Sequence, residues 1–424
     1  MSFARYPAYK DSGVEWLGDV PEHWAVERLN AVASCNDEVL PETTPADQVI
    51  EYVEISGVEA GRGIVETSLV AFGAAPSRAR RIVRDGDILI STVRTYLRAI
   101  AQVSNPPENM VASTGFAVLR PRKLASRFLG YACHTEGFVN EVIARSVGVS
   151  YPAINASELI RLAAPLPPVI EQTAIATFLD RETAKIDALV AEQEKLIALL
   201  QEKRQAVISH AVTKGLDPNV PMKDSGVEWL GEVPAHWEVG AIKRFFSSLD
   251  SRRVPLSAEE RTAKQGDFPY YGASGVIDSI DEYIFEEDLV LVSEDGANLL
   301  SRVTPIAFVA TGKYWVNNHA HILKPIDANV RFWAERIEAL ELAPVITGSA
   351  QPKLTIEALM NLVIAVPSTA EERASISSYI QLESEKLDSL LSEARTAITL
   401  LQERRTALIS AAVTGQIDVR GLAA

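Results

Sequence analysis

The 424-residue chain has few cysteines, no long apolar runs and little positive charge, and each shortage excludes a class of protein. Its two cysteines, Cys35 and Cys133, both lie in the first half, which excludes a disulfide or zinc framework common to both halves. No apolar run reaches the length of a membrane span, and the first residues lack the apolar stretch of a signal peptide. We therefore expect a cytoplasmic protein that does not associate with membranes.

Sequence signatures of catalysis are also missing. No Gly-x-x-x-x-Gly-Lys-Ser/Thr phosphate loop and no Gly-x-Ser-x-Gly nucleophile turn occurs. The segment Asn105-Pro-Pro-Glu108 resembles the catalytic loop of adenine methyltransferases, but Glu108 replaces the aromatic residue that stacks on a flipped base, so we predict a turn. His319 and His321 could point to one face of a strand, as metal ligands do. Because no further ligand lies nearby in sequence, we predict a packing role for them.

The formal net charge is −15, from 41 basic and 56 acidic residues. This balance argues against a uniformly nucleic-acid-binding surface, since phosphate groups are neutralised by Lys and Arg. Binding depends on local charge, however, and one stretch of the first half is rich in arginine, with only Asp85 and Asp87 opposing it. Its members are Arg78, Arg80, Arg81, Arg84, Arg94 and Arg98.

The strongest positive feature is an internal repeat. Residues 10–26 return almost unchanged as residues 223–239, and residues 199–213 return as residues 400–414. Each copy of the opening segment carries two tryptophans, which we expect to anchor it to a core. Between these repeated segments the two halves of the chain have little sequence similarity. A duplicated frame that holds two divergent inserts indicates one scaffold that presents two different binding surfaces.

Residues 171–213 contain neither glycine nor proline and repeat apolar residues at spacings of three, four and seven, which predicts a long amphipathic helix with coiled-coil character. Residues 371–413 predict a second one. At 1.5 Å per residue each helix is roughly 60 Å long and needs a partner, for which the other copy, packed antiparallel, is available. The predicted seams are Leu179, Ile186, Leu189, Leu196, Leu200 and Val207, interrupted by Gln193, and Ile380, Leu387, Leu390, Leu401 and Leu408.

Both inserts are rich in strand and turn signals. We predict strands within residues 82–91, 115–120, 268–277 and 288–293, and a helical stretch at 125–144. The inserts share a closing loop, at residues 148–155 in the first and 348–355 in the second, each followed by a strand and a proline. The fold class is therefore α/β (α+β).

These residues resemble the specificity subunit of a type I restriction-modification system. The resemblance is carried by the twin Asp-Ser-Gly-Val-Glu-Trp-Leu-Gly openings, by Tyr-Tyr-Gly-Ala-Ser-Gly at 270–275, by Asn-Asn-His-Ala-His at 317–321, and by the Gly-Ser-Ala-Gln-Pro-Lys-Leu loop from 348. It covers nearly the whole chain. The first insert lacks the second and third of these strings, so its target is expected to differ.

The resemblance implies four segments. They are a first target-recognition domain at 1–170, a central spacer helix at 171–213, a second target-recognition domain at 214–370 and a distal spacer helix at 371–415. It also implies that the chain is not catalytic: each recognition domain reads one half of a bipartite site in double-stranded DNA, and the helices set the half-site spacing. Two methyltransferase (modification) subunits and the restriction/translocase subunits would be the partners. S-adenosylmethionine, ATP and Mg are expected only in those subunits.

Candidate DNA contacts are basic, amide and hydroxyl side chains near turns, because Arg pairs with guanine, Asn and Gln pair with adenine, and most contacts go to phosphates. In the first insert they are Arg78, Arg80, Arg81, Arg94, Arg98 and Tyr151; in the second they are Tyr270, Tyr271, Ser274, Arg302, Lys313, Gln351 and Lys353.

Two other hypotheses remain open from the sequence. A nuclease or methyltransferase with unrecognised motifs would need a complete cofactor or metal site. A coiled-coil adaptor for protein partners would explain the acidity and the helices, but not why the inserts diverge while the frame is constant.

Overall fold

The structure, a computed structural model, describes residues 3–348 and 351–422. It has the expected mixed α/β fold, and the chain divides into two compact units. The first unit comprises Met1–Gln193 with Thr396–Ala424, and the second comprises Glu194–Arg395. Each of the two long helices therefore contributes one part to each unit.

The elements of the first unit are strands β1 (Tyr9–Asp11), β2 (Asp19–Pro21), β3 (Ala25–Arg28), β4 (Ala33–Cys35), β5 (Val49–Val53), β6 (Val58–Glu59), β7 (Gly63–Ile64), β8 (Ser68–Ala71), β9 (Ala79–Ile82), β10 (Ile88–Ser91), β11 (Ile100–Gln102), β12 (Met110–Ser113), β13 (Phe116–Pro121) and β14 (Ala163–Leu166), and helices α1 (Leu29–Val32), α2 (Ser126–Cys133), α3 (Glu136–Ala144) and α4 (Ala156–Leu159). The long helix α5 (Val169–Lys214) follows them.

The elements of the second unit are strands β15 (Met222–Asp224), β16 (Glu232–Pro234), β17 (Glu238–Ala241), β18 (Phe246–Ser248), β19 (Gln265–Gly272), β20 (Gly275–Ile280), β21 (Leu289–Ser293), β22 (Ala307–Ala310), β23 (Trp315–Val316), β24 (Ala320–Pro325) and β25 (Val363–Val366), and helices α6 (Ala258–Ala263), α7 (Asn298–Ser301), α8 (Val330–Glu338) and α9 (Ile356–Asn361). The long helix α10 (Ala370–Val413) completes the order.

Both units follow one plan. A four-stranded antiparallel sheet, β11-β10-β13-β4 in the first unit and β18-β24-β21-β22 in the second, has a helix packed on it, α2 or α8 respectively. A second sheet contains one parallel pair, β5 with β12 or β19 with β23. The predicted strands are confirmed, and the predicted helical stretch at 125–144 is two helices, α2 and α3.

Each unit also contains an antiparallel pair of helix segments. In the first unit, Asp187 of α5 pairs with Arg405 of α10 at 3.0 Å, while Glu171 lies 3.9 Å from Arg420, beyond the end of α10. In the second unit, Arg204 of α5 pairs with Asp388 of α10 at 2.6 Å. The predicted pairing of the two helices is confirmed.

The predicted helix seams are partly wrong. Leu189, Leu196 and Leu390 are 46%, 41% and 46% exposed, whereas Leu391 is buried. On each helix the residues that face inward are spaced alternately three and four residues apart. They include Val190 and Ile197 of α5, and Ser384, Leu387, Leu391 and Ala394 of α10. Apolar residues stand side by side at these positions, so spacing alone could not tell which stripe is buried.

The core of each unit is built from its sheet, its short helices and both long helices. In the first unit Trp24, Phe128 and Phe138 pack with Leu408 and Ile409 of α10. In the second, Trp237, Trp333 and Phe246 pack with Ile208 and Ala211 of α5. Of the four repeat tryptophans, Trp24 and Trp237 are anchored as expected, but Trp229 is 61% exposed, so the prediction fails there.

Candidate nucleic-acid interface

The two units share one loop framework. In the first unit a 3-10 turn at Thr95–Leu97 follows β10, and the amide of Arg94 donates to the Pro152 carbonyl at 2.8 Å. The amide of Ile154 donates to the Thr92 carbonyl at 2.9 Å. These bonds hold the closing loop 148–155 against the end of the sheet β11-β10-β13-β4.

The second unit repeats these bonds with different residues. The amide of Gly296 donates to the Pro352 carbonyl at 3.0 Å, and the amide of Leu354 donates to the Glu294 carbonyl at 2.8 Å. Residues 349–350 of its closing loop lie outside the described residues. One framework therefore carries two different sets of side chains at the same place in each unit.

Gly296 and its counterpart in the first unit, Arg94, both have a positive φ, but only one of them is a glycine. Gly296 has φ 101°, a conformation that glycine adopts without cost, whereas its counterpart Arg94 has φ 52° in the left-handed region. A non-glycine residue held there is uncommon and points to a use for its side chain.

Of the first-unit candidates, Arg94 and Tyr151 come together. The Arg94 guanidinium lies 4.6 Å from the centre of the Tyr151 ring, and both side chains are exposed. The pair offers a cation and an aromatic face at the surface, a combination that suits phosphate and base contacts.

Three of the other four candidate arginines of the first unit contact side chains within the protein. Arg98 donates to Glu136 at 2.9 Å, and Arg78 pairs with Glu54. The guanidinium of Arg80 lies over the Phe72 ring at 4.6 Å. Arg81 is half-buried, and its Nε has no hydrogen-bond partner among the residues described.

Exposed apolar side chains on the same loops escaped the sequence analysis. Tyr96 and Leu97 of the 3-10 turn are 50% and 47% exposed, and Val147, just before the closing loop, and Val149 within it are even more exposed. Clustered apolar exposure of this kind marks binding surfaces. Only the fold brings the two segments together, so their separation in sequence concealed the cluster.

Four second-unit candidates are exposed. Lys353 pairs with Glu294 at 3.1 Å, and Gln351 lies two residues before it in the closing loop. Ser274 is at the tip of the β19–β20 hairpin, beside Ala273, whose carbonyl accepts a hydrogen bond from Ser293. Lys313 lies 4.7 Å from the centre of the Tyr283 ring.

The other three second-unit candidates are buried or half-buried. Tyr270 is only 1% exposed and its hydroxyl accepts from the Leu256 amide, so its assignment as a DNA contact is corrected to a core role. A register shift between Tyr270 and Tyr271 breaks the regular alternation of the strand, which is why the sequence could not separate them. Tyr271 is half-buried and stacks on Phe308.

Arg302 is half-buried and contacts the end of a helix. Its guanidinium donates to the Glu338 carbonyl at 2.8 Å, where it binds the C-terminal end of α8. Positively charged side chains stabilise this end of a helix.

A charge network fixes the second closing loop. His321 is buried; its Nδ1 lies 2.6 Å from Asp250, and its Nε2 donates to the Leu354 carbonyl at 2.8 Å. Arg253 donates to Glu294 at 2.6 Å. Burial alone would raise the pKa of Asp250 and of Glu294, but hydrogen bonds and neighbouring positive charges outweigh it, so both pKa values are lowered.

Asp250, Glu294 and His321 are close enough to hold a metal ion. Arg253 and Lys353 already occupy these carboxylates, which argues for a structural network. His319 is in a turn and bonds to Asp295 at 2.8 Å, so the expectation that both rings share one strand face is wrong. The Asn317 side chain accepts from the His319 amide and closes that turn.

The chain was compared with known proteins. The family model for the type I restriction modification DNA specificity domain matches residues 21–198 and 234–392, which is more than half of the chain. Among the residues described, no helix is long and apolar enough to cross a membrane.

Several curated relatives are specificity subunits. The chain is 32% identical over 120 residues to the putative type I restriction enzyme specificity subunit S.HindORF215P of Haemophilus influenzae, a match that covers 28% of this chain and 30% of the relative. It is 24% identical to the putative MjaX specificity subunit of Methanocaldococcus jannaschii, over 57% of each chain. The chain thus spans well under two thirds of these relatives. The MjaVIII specificity subunit of the same organism is 22% identical over 95% of each chain.

Solved structures share the fold. A chain from a study of assembly and conformational transition in the type I R-M system superposes with a TM-score of 0.68 at 22% identity, covering 93% of this chain and 98% of that one. The HsdS subunit from Thermoanaerobacter tengcongensis superposes with a TM-score of 0.51 at 22% identity, covering 94% and 98%. With its two matching domains and its repeated architecture, the chain belongs to the type I restriction-modification DNA specificity family.

Proposed function

We propose that this chain is the DNA specificity subunit of a type I restriction-modification complex, and that each unit reads one half of a bipartite site in double-stranded DNA. The observation that carries the proposal is the repeated loop framework. The same backbone bonds hold the closing loop in both units, yet Arg94 and Tyr151 lie where the second unit has Gly296 and Gln351. Two unlike surfaces on one framework suit two unlike half-sites.

The loops supply the chemistry for such contacts. Arg94 and Lys353 carry positive charge for phosphates, and Gln351 carries an amide that can pair with adenine. The closing loops are short and fixed by backbone hydrogen bonds at both ends, so little conformational entropy is lost when they bind.

In the proposed complex, catalysis belongs to other subunits. In it, α5 and α10 dock two methyltransferase subunits, and restriction/translocase subunits join that assembly. S-adenosylmethionine, ATP and Mg belong to those subunits, and the complex acts on cytoplasmic DNA. The adaptor hypothesis is not favoured, since it gives no reason for the divergence of the two loop surfaces.

Co-expression with a methyltransferase subunit tests the proposal. Adenine methylation is mapped across the host DNA by sequencing that detects modified bases. We expect one split motif, with two dissimilar half-sites around a fixed gap. A soluble complex that leaves the DNA unmethylated would overturn the proposal.

Paired loop variants assign the half-sites to the units. The double variant Arg94→Ala with Tyr151→Ala should relax or abolish recognition of one half-site only. Gln351→Ala with Lys353→Ala should affect the other half-site. Arg62→Ala, an exposed arginine on the β6–β7 turn, is the matched control and should leave the motif unchanged. Loss of both half-sites with either pair would contradict the assignment.

A further inference from the structure

The N-terminal arm, residues 3–8 before β1, covers one position of α5 in the first unit with an aromatic side chain. Phe3 packs edge-on against Phe178 with ring centroids 5.7 Å apart, and Phe178 is only 1% exposed. The arm is held there because the Asp418 amide donates to the Ala4 carbonyl at 2.8 Å. Two chain segments, the arm and the segment after α10, thus lie side by side in this unit.

The second unit lacks one of these two segments. The repeat aligns Phe178 with Tyr379, and both follow the first-turn glutamates Glu171 and Glu372 by seven residues. Residues 215–221 run directly from α5 into β15, so a single segment takes the place of both. Tyr379 is accordingly 38% exposed, in contrast to its buried counterpart.

A groove of ≈ 310 Å³ lies open beside Tyr379. Ala206, Val207 and Leu216 give it an apolar lining, and Lys203 and His210 add basic groups. No acidic residue lines it. Within the described part of the chain, neither the Lys203 nor the His210 side chain has a hydrogen bond or an ion pair. Their counterparts in the first unit are Arg404 and Ala411.

We propose that this groove binds a short extended segment of a partner protein that carries an aromatic side chain next to a carboxylate. The aromatic ring occupies the place that Phe3 takes in the first unit, against Tyr379. The carboxylate pairs with Lys203 and accepts a hydrogen bond from the His210 ring. This inference rests on the internal repeat and does not depend on DNA specificity.

Fluorescence anisotropy with the full chain tests the groove. The probe is a fluorescein-labelled peptide, Phe-Ala-Glu-Tyr-Pro, which copies residues 3–7 of the arm with the change Arg5→Glu. We expect one peptide to bind per chain, because the first unit already holds its own Phe3. Replacing the phenylalanine of the peptide with alanine should weaken binding at least tenfold.

Two variants place the binding at the groove. Ala206→Trp fills it from an exposed position of α5 and should weaken binding at least tenfold, and Lys203→Glu should do so through charge. Ala191→Trp, at another exposed alanine about 22 Å along the same helix, should bind as the unmodified chain does. No binding at about millimolar peptide, or equal binding by the Ala206→Trp and Ala191→Trp chains, would overturn the proposal. Methylation of DNA is not part of the readout, so failure here leaves the proposed function standing.

Discussion

At the scale of single residues, a buried hydroxyl in the helix seam stands out. Ser384 of α10 is 4% exposed, and its Oγ has no hydrogen-bond partner among the described residues. A buried polar group without a partner loses its hydration and gains nothing in return. The seam of α10 is therefore less stable at this position than an apolar residue would make it.

Ser384→Ala should stabilise the second unit. The substitution removes the unpaired hydroxyl and introduces alanine, which has a higher helix propensity than serine. Together these two effects should raise the free energy of unfolding by about 1 kcal/mol. Thermal or denaturant unfolding measures the change. Ser378→Ala, at an exposed position of the same helix whose hydroxyl has no hydrogen-bond partner among the described residues, reports the propensity effect alone. Equal gains from both variants would show that the buried hydroxyl costs nothing.

The charge network of the second unit should lose stability in acid. Because the pKa values of Asp250 and Glu294 are lower in the folded chain than in the unfolded one, the unfolded chain binds more protons at acidic pH. Stability is then full above the ordinary carboxyl pKa of about 4 and falls as the pH drops through the lowered values. Melting temperatures between pH 7 and pH 3 should fall less steeply for Asp250→Asn than for the unmodified chain. Parallel curves would contradict this account.

At the scale of elements, a repeated clamp fixes the start of each long helix. The indole of Trp24 donates to Glu171 at 2.9 Å, and that of Trp237 donates to Glu372 at 2.9 Å. The first clamp is stronger, because the Tyr6 hydroxyl also donates to Glu171 at 3.1 Å. Burial and the negative charge of Glu171 raise the pKa of Tyr6, which keeps its hydroxyl a donor. A carboxylate in the first turn also suits the helix dipole.

Removing the clamp should destabilise the two units unequally. Glu171→Ala leaves the buried donors of Trp24 and Tyr6 unpaired and should cost about 3 kcal/mol, whereas Glu372→Ala should cost about 1–2 kcal/mol. The glutamate side chains are 9% and 29% exposed, which supports the same order. Hydrogen exchange of α5 and α10 amides measures the loss in each unit. Glu192→Ala, on an exposed face of α5, is the control. A larger loss from Glu372→Ala would contradict the prediction.

Sequence patterns predicted some properties of the helices but not others. The length of α5 and α10 followed from composition and period, and their antiparallel pairing followed from the internal repeat. The buried stripe did not, because Leu390 and Leu391 are adjacent and equally apolar, and only packing against the partner helix buries Leu391. In the same way, the helical stretch at 125–144 was clear, but its interruption between α2 and α3 was not.

At the scale of the whole molecule, the helix pair is proposed to set the half-site spacing. Its stripes repeat every seven residues, so an added heptad preserves the seam whereas another length rotates it. Seven residues add about 10.5 Å of helix. That length corresponds to about three base pairs at ~3.4 Å each.

Inserting one heptad into both helices should lengthen the gap of the methylated motif by about three base pairs and leave both half-sites unchanged. The insertions belong after Gln193 and after Arg395, the positions at which each helix passes from one unit to the other. Methylation mapping of the co-expressed complex gives the gap. A heptad in α5 alone mismatches the seam and should abolish methylation. An unchanged gap with both insertions would refute the spacing role.

The sequence by itself determined the duplicated frame, the two long helices, the α/β class and the family, because these depend on repeats, periodicity and motifs that are local in the chain. Only the tertiary structure decided which candidate side chains meet at a surface. Arg94 and Tyr151 are 57 residues apart and touch because the closing loop bonds to the sheet end, while Tyr270 and Arg302 are taken up by the core and by a helix end. Exposure and contact between distant segments are products of packing, and no local pattern encodes them.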